Sequence, residues 1–331
     1  MKAQQTTEAV LTPQQQSLIN ISSLTATGNL EHLKVKINEG LDSGLTINEI
    51  KESLVQLYAY CGFPRSLNAL NTFKTVLDER KAKGLTDKEG GRITVENRAK
   101  DKYEQGRKVL EELTKTPQTK PAPGFGEFAP RIDAFLKEHL FADIFVVDVL
   151  SYQQRELVTI AALASLSGVE SQLQSHISMG KNTGITEMQL EQLANVIEAN
   201  VNITQANTVR KIINKPLVSV VKSDMMVRIS EIEILPEYLD EYNYILKEEA
   251  SASVNIEKGV IAIFPMSQKE NPTQIRIIEI YADETAYQSH LQTPHFQHYK
   301  TSTLKMVKTL KLVDMKSLDS EAMLEIFKKL K

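Results

Sequence analysis

The sequence predicts an all-α tandem repeat followed by a small α+β domain, and three observations predict it. The first is self-similarity: Gln14-Gln15-Gln16-Ser17-Leu18 through Leu24 aligns with Gln153-Gln154-Arg155-Glu156-Leu157 through Leu163 at an offset of 139. The second extends the match past one inserted residue. Leu33, Ile37, Gly40, Gly44 and Thr46 meet Leu173, Ile177, Gly180, Gly184 and Thr186 at an offset of 140. In both copies Gly stops one helix and Thr caps the next. The third is a change of period near residue 222, from roughly 3.6 residues to 2. The elements beyond it read β-α-β-β-α-β, which is the ferredoxin-like order.

The first repeat spans 10–115. After the Thr46 cap a helix carries Ile50, Leu54 and Leu57; Tyr58-Ala59-Tyr60-Cys61-Gly62-Phe63-Pro64 turns, and 65–83 form a long helix. Residues 84–93 are polar and contain Gly84, Gly90 and Gly91, so a loop is expected before an amphipathic helix at 95–115. The second repeat spans 116–215 and opens with four prolines (Pro117, Pro121, Pro123, Pro130), which predict an extended connection. A helix at 132–140 leads into the second copy. There a break at Leu166-Ser167-Gly168 parts two helices. Ala161, Ala162, Ala164 and Ser165 on the first of these let a neighbouring helix approach closely. The α+β domain spans 222–315. Strands are expected at 226–234, 259–265, 274–281 and 309–313, and helices from Pro236 and over 284–302. Residues 316–331 read as a C-terminal amphipathic helix.

Length and composition bound the function. The 331 residues suffice for two or three domains with their own cores. A net charge of −3 predicts no nucleic-acid partner, and no apolar run approaches the ~20 residues of a membrane span. Cys61 is the single cysteine, which excludes an intrachain disulfide and a cysteine-based metal cluster. The start MKAQQTTEA fits a cytoplasmic chain as given, or a periplasmic one after trimming of a leader.

Two resemblances follow from particular residues. Arg155-Glu156-Leu157-Val158-Thr159-Ile160-Ala161, the Leu173/His176/Gly180/Gly184-Ile185-Thr186 run, and Tyr60-Cys61-Gly62-Phe63-Pro64 with Asn68-Ala69 resemble the carboxymuconolactone decarboxylase family. That family shares the all-α fold of alkylhydroperoxidase D. Ile278-Glu279-Ile280-Tyr281, Ala286, His290 and Thr293-Pro294-His295-Phe296 are similar to antibiotic-biosynthesis monooxygenase-like domains, which are small dimeric α+β barrels. The copies depart from the first family in complementary ways. The first keeps the Tyr60–Pro64 turn but has Ser17 and Lys36 where Glu156 and His176 stand in the second. The second has Asn200-Val201-Asn202-Ile203-Thr204 in place of the turn, so one pair of repeats holds at most one complete pocket.

The resemblance implies acid–base chemistry on a small lactone, oxo acid or quinol. His176 is the candidate general acid/base and Glu156 its orienting partner, with Tyr60 and Cys61 in the same pocket. Glu156 is also read as a first-turn acid, a place the helix dipole alone would favour. The peroxidase branch needs Cys-x-x-Cys, and Val169 and Gln172 occupy those places before His176. In the last domain Ser253, Glu279, Tyr281 and His290 are the candidate substrate-binding residues. His290, His295 and His298 cluster, but without a third strict ligand pattern no metal is expected. No motif implies a cofactor. The alternatives are a redox enzyme, as a cofactor-independent monooxygenase in the last domain or a peroxidase through Cys61, and a non-catalytic ligand-binding protein. Both resemblances imply homo-oligomers, here a trimer or dimer of chains.

Overall fold

A computed structural model describes residues 10–93, 97–218 and 224–318, which fall into two units, Met1–Val218 and Ser219–Lys331. In the helical unit, Thr12 starts α1 (Pro13–Thr27) with a capping box: its hydroxyl accepts from the Gln15 N–H, and the Gln15 side chain accepts from the Thr12 N–H. α2 (Leu30–Asp42) and α3 (Ile47–Ala82) complete the first repeat core. The expected turn at 58–64 is a kink within α3, centred on Gly62 at φ 83°, a left-handed angle that glycine tolerates. Arg80 near the end of α3 ties the following loop down through Asp42 and Asp87, both at 2.8 Å.

α4 (Lys102–Thr114) starts later than the expected 95. The proline-rich segment is not wholly extended, because Gly124 at φ 72° turns the chain into the short α5 (Phe125–Phe128). α6 (Pro130–Ala134) then runs into a π-helix, Phe135–Ile144, where an ordinary helix was expected at 132–140. At Gly106 of α4 a Cβ would lie 1.8 Å from the Lys137 carbonyl oxygen, so the two backbones touch there. The buried Lys137 ammonium is satisfied by Asp133 (2.7 Å), the Tyr103 hydroxyl (2.9 Å) and the Thr119 carbonyl (3.1 Å).

The second repeat core consists of α7 (Tyr152–Ala164), α8 (Glu170–Asn182), α9 (Glu187–Asn200) and α10 (Ile203–Ile212). Capping boxes at Ser151 and Thr186 start α7 and α9. α1 and α7 pack together between the two cores. Ile19 of the first repeat belongs to the second core, and Val158 and Ala162 of the second belong to the first. The repeat is visible at the atomic level. A Cβ on Gly40 would meet Ile21, Leu45 and Ser17 at 3.3, 3.3 and 3.5 Å. One on Gly180 would meet the equivalent Ile160, Ile185 and Glu156 at 3.0, 2.9 and 3.7 Å.

The second unit is a four-stranded antiparallel sheet of order β2-β3-β1-β4, with β1 at Met226–Ile234, β2 at Val260–Ser267, β3 at Gln274–Tyr281 and β4 at Val307–Met315. A 3₁₀ turn at Pro236–Tyr238 enters α11 (Leu239–Ile256). The helical stretch expected at 284–302 is two helices, α12 (Glu284–His290) and α13 (Pro294–Thr303), because Thr293 caps a new start before Pro294. Arg228, Ser230, Ile232 and Ile234 alternate on the buried face of β1, and Tyr242, Leu246 and Ala250 of α11 pack in the same core. Lys316, Ser317 and Leu318 are not helical, and the rest of the expected C-terminal helix lies outside the described residues. Among the described residues no helix is long and apolar enough to cross a membrane.

Candidate functional site

In the helical unit α7 and α8 bring Glu156 and His176 together, with Glu156 Oε2 2.8 Å from His176 Nδ1. Gly180 permits this, since a side chain there would hold α8 off α7. α7 begins at Tyr152, so Glu156 lies beyond the first turn and is fully buried. The helix dipole therefore does not account for it. Tyr60, from the first repeat, meets the His176 ring edge-on at 5.4 Å between centroids. The split of the motif between the copies is closed by packing.

A polar lattice surrounds the pair. Glu52, Gln56 and Tyr60 recur every fourth residue along α3, and Arg155 and Thr159 recur likewise on α7. The wholly buried Arg155 donates to Gln56 Oε1 (2.9 Å), Glu52 Oε2 (3.3 Å) and the Val147 carbonyl (2.6 Å). Gln56 Nε2 donates in turn to the Arg155 carbonyl (2.9 Å) and Thr159 Oγ1 (2.8 Å). Three atoms of this cluster, the Tyr60 hydroxyl, Glu156 Oε1 and Arg155 Nε, are buried without a well-formed hydrogen bond, although Thr159 stands next to the Tyr60 hydroxyl. Burial first, and then the negative charge of Glu156, push the Tyr60 phenol far above its ordinary range, so it stays a donor. Cys61 packs on the first repeat core instead; its thiol donates to the Leu57 carbonyl (3.2 Å), and burial raises its pKa.

The equivalent place in the other half has lost this chemistry. Ser17 replaces Glu156 and bonds the Pro13 carbonyl (2.9 Å), while Lys36 replaces His176 and pairs with Glu39 (2.8 Å). Asn200, in the place of Tyr60, bonds Asn20 at 2.8 Å.

In the second unit a cavity of about 480 Å³ opens between sheet and helices. Ile232, Ile263, Ile277, Phe296 and Leu310 give it apolar walls, and Arg228, Glu249, Glu279, Tyr281 and His290 give it polar points. Three of the four sequence-predicted residues thus line one space. The Tyr281 hydroxyl donates to Glu279 Oε2 (2.9 Å), and the Ser230 hydroxyl donates to Glu279 Oε1. Ser253 sits behind the wall, its hydroxyl donating to Glu249 Oε1 (2.8 Å). Burial raises the Glu249 carboxyl despite that bond. Tyr299, bonded to Tyr242 at 2.7 Å, is pushed up to about 12 by burial.

Comparison with known proteins fits this architecture. Residues 2–75 and 130–215 match the carboxymuconolactone decarboxylase family, and residues 225–302 match the antibiotic biosynthesis monooxygenase family. Two families thus match successive parts of the chain. A Bacteroides thetaiotaomicron structure provisionally classed as an antibiotic biosynthesis monooxygenase is 50% identical, with 29% of this chain and 91% of that chain covered (TM-score 0.29). One of the same provisional class from Nitrosomonas europaea is 16% identical, with 29% and 93% covered (TM-score 0.28). None of the curated proteins compared matches the chain.

Sequence reasoning did not single out Glu52, Gln56, Arg155 or Thr159 of the decarboxylase-family unit as site residues. A usable signal existed, since Glu52, Gln56 and Tyr60 recur at i, i+4 and i+8 on one side of α3, beside the apolar positions Ile50, Leu54 and Leu57. In the monooxygenase-family unit it missed Arg228, Glu249 and Phe296, which reach the cavity from three separate elements.

Proposed function

We propose that the decarboxylase-family unit is an acid–base enzyme for a small carbonyl compound, a lactone or oxo acid. One observation carries this reading: a buried Glu–His hydrogen bond stands beside a tyrosine hydroxyl and a carboxylate oxygen that make no well-formed hydrogen bond within the protein. An unsatisfied buried polar atom costs about 1–3 kcal/mol. A fold that retains two around one imidazole is suited to a polar guest. In this reading the Tyr60 O–H binds the substrate carbonyl oxygen. Glu156 holds His176 through Nδ1 and stabilises the imidazolium, leaving Nε2 to move the proton. When a carboxyl group leaves as CO₂, its bonding electrons pass toward the carbonyl, and the Nε2 proton takes its place on carbon. Arg155 acts through Gln56 and Glu52 as a positioning residue. Cys61, kept as a thiol, takes no part in proton transfer.

The test is turnover of a panel of small lactones and oxo acids. His176→Ala should lower kcat by about 10²–10⁴-fold, the range for a general acid or base. Glu156→Gln should lower it and displace the pH profile, since the imidazolium loses its counter-charge. Equal activity of parent and both variants would sink the proposal.

The 480 Å³ cavity favours a second reading, independent of the first, in which the monooxygenase-family unit oxidises a quinol-sized substrate. Its mostly aliphatic and aromatic walls suit a flat ring better than an oxo acid. Binding of a quinol that protects the second unit from proteolysis, and fails to do so in Tyr281→Ala, would support it.

A further inference from the structure

We propose that Glu257, His290 and His295 form a binding site for a borderline divalent cation of the Zn²⁺, Co²⁺ or Fe²⁺ class. His290 Nδ1 and His295 Nε2 both face one oxygen, Glu257 Oε1, at 2.9 and 2.6 Å. The donor atoms all lie within 4.8 Å of one another. Two imidazoles and one carboxylate are a recurrent donor set for such ions, and nitrogen donors disfavour Mg²⁺ and Ca²⁺.

The fold makes the convergence possible. On one continuous helix, residues five apart point roughly 140° away from each other. The break between α12 and α13 removes that constraint, placing His290 at the end of one helix and His295 in the first turn of the next. Glu257 directly follows α11, and its N–H donates to the Ser253 carbonyl at 3.1 Å. The site also has an outer layer. His290 Nε2 lies 3.7 Å from Glu249 Oε1, which accepts from the Ser253 hydroxyl. A carboxylate behind a ligating imidazole is the usual way its ring is oriented and its basicity raised. The side chains of His290 and Glu257 are 2% and 12% exposed and that of His295 is 20% exposed, so the group is recessed yet reachable. His298 does not belong to it; that ring pairs with the Ser302 hydroxyl at 3.4 Å.

The experiment is Zn²⁺ titration of the full, chelator-stripped chain by calorimetry, with Co²⁺ absorption as a report of ligand type. Expected are one Zn²⁺ per chain and visible Co²⁺ bands. Losing a group that orients a ligating side chain costs roughly 10–100-fold in affinity, and removing a ligand itself, by His295→Ala or Glu257→Gln, should weaken binding at least that much. His298→Ala should leave it unchanged. Thermal melts of the metal-free variants show whether either change unfolds the unit, and partly exposed His295 keeps the test open if Glu257→Gln does. Absence of stoichiometric binding to the parent overturns the proposal, as does parental affinity in a folded His295→Ala chain.

Discussion

Replacing Arg155 by Met gives the most direct measure of the polar lattice that joins the two repeats. Arg155 is wholly buried, and its guanidinium is the common partner of Glu52, Gln56 and the Val147 carbonyl. Met fills most of the same stem volume, so little of the loss comes from a cavity. What remains is Glu52, 5% exposed and without its cation. Breaking a buried ion pair from one side costs about 3–5 kcal/mol. The 3.3 Å separation and the unpartnered Arg155 Nε mark this pair as imperfect, which puts the expected loss near the lower end, at about 3 kcal/mol. Against a typical stability of about 5–15 kcal/mol, that is a large fraction. Urea unfolding followed by helical circular dichroism gives the value as midpoint times slope. Adding Glu52→Gln to Arg155→Met removes the stranded charge and should restore about 1–2 kcal/mol. A loss under about 1 kcal/mol, or a double variant no better than the single one, would refute the reasoning. Either result would mean that Glu52 does not depend on Arg155 for its charge.

Further expectations follow from the same geometry. Tyr60→Phe removes a hydroxyl with no well-formed hydrogen bond, so stability should hold or rise by up to about 1 kcal/mol while turnover falls; a loss of about 1 kcal/mol or more in urea would show that Thr159 holds the hydroxyl. Gly180→Ala should destabilise by about 1–3 kcal/mol and lower activity, because its Cβ would press Ile185 and Ile160 at 2.9 and 3.0 Å. Gly40→Ala, with 3.3 Å contacts and no catalytic neighbour, should cost less and leave activity intact. Burial alone would raise the Asp133 carboxyl, yet hydrogen bonds from Lys137 and Tyr103 hold it below its ordinary value. Its contribution to stability is therefore complete above the unfolded carboxylate value of about 3.9, and is lost as pH falls through the lower folded value. The urea midpoint of the parent should decline below about pH 4, and Asp133→Asn should show a shallower decline from a lower plateau. Parallel curves would remove Asp133 from that account.

What the sequence by itself determined is what local chemistry determines. The Thr caps, the Gly stops and the alternation of β1 each act within one or two turns, and each is found where the spacing predicts it. Glu156 and His176 were also legible, because they lie 20 residues apart on consecutive helices that must fold back on each other. The kink at Gly62 and the break before Pro294 carry local signals, Gly and a Thr-Pro cap, whereas the π-helix at Phe135–Ile144 has none in its spacing. Tertiary structure alone decided the partners of buried polar groups. Arg155 finds Glu52 and Gln56 about a hundred positions away, and Glu257 gathers His290 and His295 from beyond two strands. A buried charge needs compensation from whichever group packing brings near it, and chain spacing carries no record of which group that will be.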